Sequence, residues 1–296
     1  MIVGRLAPSP TGSLHLGNAR TFLWAWLAAR SRGGRVLLRI EDLDAPRVKP
    51  GAVEAIAEDL RWLGLDWDGE AEIQSRRRDH YRAVFERLRP RLFECGCTRA
   101  DLAAAASAPQ EGVTEVRYPG TCRDLKPGKT VAWRLRVDPG MIGFEDLLSG
   151  RHEIEVAATV GDFVVAKSPE APAYQLAVVA DDIAQGVTQV VRGDDLIPST
   201  ARQLLIYRAL GAAIPEYGHA PLVVGPDGKR LAKRHGESRI ASLRAAGVAP
   251  ERIVTALARW SALPPLGRPS ELVPHWDWGR VSRDRVVLTP ERLAEF

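Results

Sequence analysis

The sequence predicts an α/β fold organised on a parallel sheet, and three observations near its start carry that prediction. Residues 2–6, Ile-Val-Gly-Arg-Leu, form a short apolar run that reads as a strand, and Pro8, Pro10 and Gly12 then enforce a turn. From residue 14 to residue 30 the apolar side chains recur at helical spacing with no proline. After Gly33-Gly34, residues 35–40 make a second compact strand, closed by Glu41-Asp42-Leu43-Asp44 and Pro46. Strand, helix and strand across a glycine break open a parallel sheet.

Such sheets bind ligands beyond the carboxyl ends of their strands. Arg5 ends the first strand and Glu41 ends the second. A guanidinium grips a carboxylate bidentately, and a carboxylate holds an ammonium, so the pair suits the two ends of an acidic amino acid. A surface ion pair without a ligand is the alternative. Ser13 is expected to cap the helix with its hydroxyl, and the exposed N–H groups of a helix N-terminus attract anions. His15, in the first turn, is placed to donate to a phosphate. Gly17 leaves the backbone open to a flat ligand.

Residues 53–65 read as an amphipathic helix closing at Gly64, with Trp62, Leu63 and Leu65 in the core. Arg76-Arg77-Arg78 fits either RNA phosphates or a solvated helix start, and a helix follows from His80 to about Leu92. Cys95-Gly96-Cys97 comes next, with an alanine-rich helix from Arg99 to about Ala106 and a Pro/Gly stretch leading to Tyr118-Pro119-Gly120-Thr121-Cys122. A Cys-x-Cys pair with a third cysteine two dozen residues on supplies three of the four ligands of a tetrahedral zinc. Three reduced cysteines in a loop, with Tyr118 packed beside them, is the other reading. Residues 129–137 alternate as a strand, 144–155 make a hairpin turning at Ser149-Gly150, and 162–167 begin a further strand pair. The sheet is expected to resume as strands at 174–182 and 186–195. A helix over 200–210 and a short strand over 221–224 lead to the turn Gly225-Pro226-Asp227-Gly228 and the basic run from Lys229 to Arg234. Basic side chains on such a loop suit the charge that develops in phosphoryl or nucleotidyl transfer. Helices over 238–246 and 249–262 follow, with Trp276 and Trp278 anchoring the final segment.

Composition narrows the class. The 296 residues are 45% hydrophobic, which suits a globular protein with a proper core. No apolar run approaches the roughly eighteen residues of a membrane span, and the start lacks a secretory pattern. The 3 cysteines are clustered, which favours a metal over disulfides. These absences lead to the expectation of a cytoplasmic protein. The net charge of +4 is compatible with an RNA partner and equally with a solvated arginine-rich surface.

The segment from Arg5 through Leu6, Ala7, Pro8 and Ser9 to Gly12, followed by His15-Leu16-Gly17-Asn18, resembles the opening of the class I glutamyl-tRNA synthetases, whose signature is His-Ile-Gly-His. Asn18 departs from that signature: it hydrogen-bonds but cannot carry a proton. Residues 39–44, 65–70, 174–182 and 186–195 are similar to the same family. Arg230-Leu231-Ala232-Lys233-Arg234 stands where the family has Lys-Met-Ser-Lys-Ser, with Lys233 at the essential lysine and Ala232 at the serine.

The resemblance implies a Rossmann-type class I synthetase catalytic domain with a zinc-binding insertion and a short helical C-terminal region. Residues 1–92 and 186–236 would be the two halves of the catalytic domain, 93–185 the insertion, and 237–296 the helical region without an anticodon-binding domain. It implies that Arg5, Leu6, Ala7, Pro8, Ser9, Glu41, Tyr174 and Arg192 bind L-glutamate. His15, Gly17, Asn18 and Lys233 would bind ATP with its magnesium, His15 and Lys233 acting on the phosphates. Small members of the family carry Cys-x-Cys…Tyr-x-x-x-Cys, which assigns one structural zinc to Cys95, Cys97, Tyr118 and Cys122. The length resembles that of the truncated branch, the glutamyl-Q tRNA(Asp) synthetases, which attach glutamate to queuosine in the anticodon of tRNA(Asp). The expected partners are therefore ATP, L-glutamate and tRNA(Asp) carrying queuosine, with no membrane, acting on a monomer. A compact synthetase charging a tRNA 3′ end and a non-catalytic RNA-binding paralogue are the alternatives.

Overall fold

The opening strand, helix and strand form as the glycine break requires. In the computed structural model, which describes residues 1–98, 100–102, 117–125, 127–229, 231 and 236–296, β1 (Val3–Leu6) leads to α1 (Leu16–Arg30) and β2 (Arg35–Ile40). β1 and β2 pair in parallel from Val3 opposite Arg35 to Leu6 opposite Leu38. Residues 52–62 make α2 (Ala52–Trp62), and β3 (Glu72–Ile73) adds in parallel to β2. α1 is buried round most of its circumference: Leu16, Leu23 and Leu27 are buried, as is every residue from Leu23 to Ala29, and Trp24 faces the C-terminal segment, so it sits as a core helix rather than docking by one apolar stripe.

Two details at this end differ from expectation. Ser13 does not cap α1. The cap is His15, whose Nδ1 accepts the Asn18 N–H at 3.2 Å. The imidazole does the work expected of the hydroxyl because the helix starts two residues later. The helix expected to reach Leu92 is α3 (Arg78–Leu88); a short turn containing Pro90 follows, and Leu92 already opens β4 (Leu92–Cys95).

β4 begins an antiparallel sheet with β5 (Ala132–Leu135), whereas β6 (Ile142–Asp146) and β7 (Gly150–Ile154) form the expected hairpin. β8 (Val164–Ser168) and β9 (Ala171–Pro172) complete the β4-β5-β8-β9 sheet. The segment 93–185 thus contributes to two sheets, because β6, besides its hairpin with β7, pairs in parallel with a later strand rather than with β5 or β8. Most of the alanine-rich helix expected from Arg99 to about Ala106 lies outside the described residues.

Residues 174–182 are not a strand. They form most of α4 (Tyr174–Gln185), closed by Gly186 at φ 65°, the left-handed cap that glycine adopts without cost. Every residue from Gln175 to Asp182 is buried, so the helix has no solvated face to impose a 3.6-residue period. A short helix buried all round and a buried strand look alike in sequence. The chain continues through β10 (Gln189–Gly193), α5 (Ile197–Leu210), β11 (Glu216–Ala220) and β12 (Val223–Val224). It then passes α6 (Ile240–Ala245) and α7 (Pro250–Trp260) and returns as β13 (Val286–Val287), which pairs in parallel with β12.

β10 and β11 pair in parallel. β1 lies along the other side of β10: Thr188 N donates to Val3 O at 3.0 Å, and Val3 N donates to Thr188 Oγ1 at 2.9 Å. The parallel strands of both halves therefore open their carboxyl ends in one place. One core surrounds α1 and the C-terminal helices, with Trp24 meeting Trp276 at 5.4 Å and Trp278 at 6.2 Å. A second joins α3, α4 and α5. Among the described residues, a third holds Phe93, Cys95, Tyr118 and Cys122 as its buried members.

Candidate functional site

A cavity of about 770 Å³ opens at the carboxyl ends of β1, β2 and β10 and beside the start of α1. Parallel sheets place ligands there. Arg5, Ala7, Pro8, Ser9, His15, Gly17, Asn18, Glu41, Tyr174 and Arg192 all line it. Leu6 does not: strand alternation turns its side chain into the core, where it is fully buried. Tyr174 is 42% exposed at the cavity wall, so it is not a core aromatic. Lys233 lies outside the described residues. The basic loop still touches the cavity through Leu231, and both flanks do so through Val223 before it and Ser238 and Arg239 after it. Ile240 N donates to Leu14 O at 2.9 Å, which ties the far flank to the approach to His15.

Gly17 has a local reason beyond ligand access. A Cβ there would sit 3.1 Å from the His15 ring and 3.4 Å from Val223 Cβ, so glycine leaves room for the imidazole that caps the helix.

Arg5 is 5% exposed. Its Nη1 donates to Val191 O at 3.0 Å, and its Nε lies 3.7 Å from Asp182 Oδ1. Burial draws its pKa down and Asp182 opposes that. Glu41 is held on the other side, its N–H donating to Pro8 O at 3.0 Å and its Oε1 lying 3.5 Å from Arg39 Nη2. Burial raises the Glu41 pKa against the opposing charges of Arg39 and Arg5.

The residues that fix this pair were not visible as site residues in the sequence. Arg39 is fully buried and donates to Asp182 Oδ1 at 2.7 Å and to Gln185 Oε1 at 2.8 Å. Burial alone would lower its pKa, but Asp182, Glu41 and Asp181 outweigh burial and raise it. Asp181 in turn accepts from Gln74 Nε2 at 2.7 Å and Tyr81 Oη at 2.9 Å. The charged end of α4, expected within a strand over 174–182, is thus the buried counter-charge of the site.

Arg192, 5% exposed at the end of β10, donates Nη1 to Gln203 Oε1 and Nη2 to Thr200 Oγ1, both at 2.8 Å. Its Nε donates to His219 Nε2 at 3.2 Å, and His219 Nδ1 lies 2.6 Å from Asp146 Oδ2. Neither His219 nor Asp146 belonged to any expected site. Arg20 is likewise new: fully buried, it donates to Pro221 O at 2.6 Å and Trp260 O at 3.1 Å, tying α1 to the strand before the basic loop. Burial draws its pKa down to about 10 against the pull of Asp194, which leaves it charged at neutral pH.

Away from the cavity, Cys95, Cys97 and Cys122 place their Sγ atoms within 4.8 Å of one another. Cys97 Sγ and Cys122 Sγ are 3.6 Å apart, close to the roughly 3.8 Å between thiolates sharing one tetrahedral zinc. Tyr118 Oη lies 3.7 Å from Cys95 Sγ and accepts the Cys122 N–H at 2.7 Å. Arg134 donates Nε to Cys95 Sγ at 3.2 Å, with its guanidinium 3.8 Å over the Tyr118 ring. Burial and the neighbouring thiols push the Cys97 pKa up to about 12. At Cys95 the rise from burial is overcome, chiefly by the Arg134 hydrogen bond. Three sulfurs, a phenol oxygen and little surrounding core suit a structural zinc.

The geometry agrees with the comparisons. Residues 1–268 match the family model of the tRNA synthetases class I (E and Q), catalytic domain. A protein of Symbiobacterium thermophilum called glutamyl-Q tRNA(Asp) synthetase is 48% identical, over 99% of this chain and 98% of its own length. One of Rhodopirellula baltica with the same name is 44% identical, over 97% and 96%. The crystal structure of a glutamate tRNA ligase from Elizabethkingia meningosepticum in complex with its amino acid superposes with a TM-score of 0.85 at 27% identity, covering 99% of this chain and 68% of that one. With a shared sequence, a shared fold and the ligand cavity at the strand ends, the chain belongs to the family of class I glutamyl- and glutaminyl-tRNA synthetase catalytic domains.

Proposed function

We propose that this protein activates L-glutamate with ATP and transfers the glutamyl group to queuosine in tRNA(Asp). One observation carries the choice of acceptor: relatives named for this reaction match almost end to end, over 99% of this chain and 98% of the relative in one case. Two buried arginines and a half-buried glutamate converging on one cavity support an acidic amino acid as the substrate.

In this reading Arg5 and Arg192 meet the glutamate carboxylates and Glu41 meets its ammonium. Tyr174 and Ser9 hydrogen-bond the substrate, while Ala7 and Pro8 shape the wall with backbone groups. The α-carboxylate attacks the α-phosphorus of ATP, the bond to the bridging oxygen breaks, and pyrophosphate leaves. Positioning and charge stabilisation supply most of the rate for such a transfer. Gly17 and Asn18 seat the nucleotide, and His15 serves the phosphates. Lys233 takes the same task from its place in the loop whose flanks line the cavity. Magnesium accompanies ATP and neutralises phosphate charge. A queuosine hydroxyl then attacks the adenylate carbonyl and AMP departs, its phosphate oxygen able to take the proton. Zinc on Cys95, Cys97, Tyr118 and Cys122 holds the insertion together. We place the protein in the cytoplasm as a monomer, with the catalytic halves and insertion divided as the sequence suggests. No helix among the described residues is long and apolar enough to cross a membrane.

The test is to incubate the protein with ATP, labelled glutamate and queuosine-containing tRNA, digest the tRNA and locate the label. Label on queuosine is expected. Label on the terminal adenosine would replace this reading with 3′-end charging, and no glutamate-dependent pyrophosphate exchange would refute glutamate activation altogether.

A further inference from the structure

We infer that His219 and Asp146 are positioning residues for Arg192, and that they act by keeping the His219 ring proton on Nδ1. The inference rests on reading Arg192 as a ligand of glutamate. Arg192 donates to His219 Nε2, Gln203 Oε1, Leu196 O and Thr200 Oγ1. A guanidinium has five N–H groups, so these four contacts leave one for the cavity. The direction of that last donor is set by the other four.

His219 contributes the only ring among them, and its chemistry is constrained from both sides. Arginine has no acceptor, so the Nε2 that meets Arg192 Nε at 3.2 Å must be bare. The proton therefore sits on Nδ1 and is donated to Asp146 Oδ2 at 2.6 Å. Asp146 cannot turn away. Its other oxygen, Oδ1, accepts from Leu148 N at 3.0 Å, Ser149 N at 2.9 Å and Ser149 Oγ at 3.0 Å. His219 is 1% exposed, with the Tyr217 ring parallel to it at 6.1 Å and Phe144 at 6.4 Å. Burial draws the His219 pKa down, and Arg192 and the His152 ring stacked on Phe144 add to that against the pull of Asp146. The Asp146 carboxyl is held at about 2, where the His219 hydrogen bond overcomes the rise from burial. At neutral pH the ring is neutral and the carboxylate charged, as the contacts require. A carboxylate that holds an imidazole in one tautomer serves hydrolases during proton transfer; here the same device holds a binding arginine.

Asp146→Asn tests this with little change of shape. The backbone donors keep the amide oxygen at the Oδ1 position, so the NH₂ group faces His219 Nδ1. Nδ1 must then accept, the proton moves to Nε2, and it meets the Arg192 Nε–H donor to donor. Two readouts apply to the full-length protein. Nitrogen-15 NMR of the ring reports which nitrogen carries the proton, and glutamate-dependent pyrophosphate exchange reports KM and kcat. The wild type should show Nδ1–H. Asp146→Asn should show Nε2–H, with the glutamate KM raised about tenfold or more, the scale of one hydrogen bond to a charged group, and with the ATP KM and kcat near wild type. His219→Gln, which keeps an acceptor for Arg192, should recover most of the glutamate affinity that His219→Leu loses.

An Nε2–H ring in the wild type overturns the inference, whether or not the variants fold. So does a flipped tautomer that leaves the glutamate KM within about twofold, or a His219→Leu protein that binds glutamate as the wild type does. Absence of pyrophosphate exchange in the wild type would instead refute glutamate activation. The NMR measurement needs no substrate, so the two failures are distinguishable.

Discussion

Asp182→Asn should unfold the protein more easily by about 3 kcal/mol, at the lower end of the cost of removing one partner from a buried ion pair. Asp182 is the carboxylate shared by two buried arginines. Its Oδ1 lies 2.7 Å from Arg39 Nη1 and 3.7 Å from Arg5 Nε, and the side chain is 2% exposed. Neutralising it leaves both guanidinium groups in a dry site with weaker compensation from Asp181 and Glu41. Asparagine keeps an oxygen for Arg39, which limits the loss; a full deletion would cost more. About 3 kcal/mol is roughly two powers of ten in the folding equilibrium. Urea unfolding followed by tryptophan fluorescence measures it, since 8 tryptophans report on the fold, and the slope against urea should stay unchanged. The double variant Arg39→Met with Asp182→Leu should cost less than Asp182→Asn, because it removes both charges together and leaves Arg5 with Glu41. A loss below about 1 kcal/mol for Asp182→Asn, or a double variant worse than the single, would refute the argument that this carboxylate balances the two arginines.

Glu41→Gln should raise the glutamate KM by about tenfold or more with little effect on the ATP KM, as measured by pyrophosphate exchange, because under the proposed function it removes the charge that meets the substrate ammonium. Asp59 offers a pH signature. It is 4% exposed with Oδ2 unpaired, and burial pushes its pKa up to about 6. A raised carboxyl pKa means that the folded state binds the proton more tightly, so stability should fall as pH rises from about 4 to about 6 and then level off. Asp59→Asn should flatten that slope and stabilise the protein at pH 7 by on the order of 2 kcal/mol, read as a higher Tm. Stripping metal with a chelator, or Cys122→Ser, should raise amide exchange in β4 and β5 while leaving α1 protected, because the small core around the cysteines has few other contacts.

The contiguous parts of the site were legible in the sequence. Arg5, Ser9, His15, Gly17 and Glu41 sit within a few residues of strand ends or a helix start, and those positions follow from local spacing. Cys95, Cys97 and Cys122 come together, with Tyr118 beside them, in the grouping that the family resemblance implied. What holds these residues was not legible. Arg39 meets Asp182 across 143 positions and His219 meets Asp146 across 73, and both meetings exist only because non-adjacent elements are packed together. α4 was misread for a related reason: with no solvated face, its residues carry no period. Leu6 was assigned to the site by its place in a motif, while the alternation of β1 sends its side chain the other way.

The pairing of β12 with β13 has a consequence for the order in which the protein is made. β12 runs straight into the basic loop, and its partner is Val286–Val287, with Leu288 N donating to Val224 O at 2.8 Å. On the other side, Arg20 of α1 holds Pro221 and Trp260 through their carbonyls. During synthesis the cavity wall built from β1, β2 and β10 can therefore assemble while the chain is still growing, but the strand leading into the basic loop stays unpaired until residue 288 has cleared the ribosome. Under the proposed function, a nascent chain would hold its amino-acid pocket before it could close its nucleotide pocket, so adenylate formation waits for residue 288.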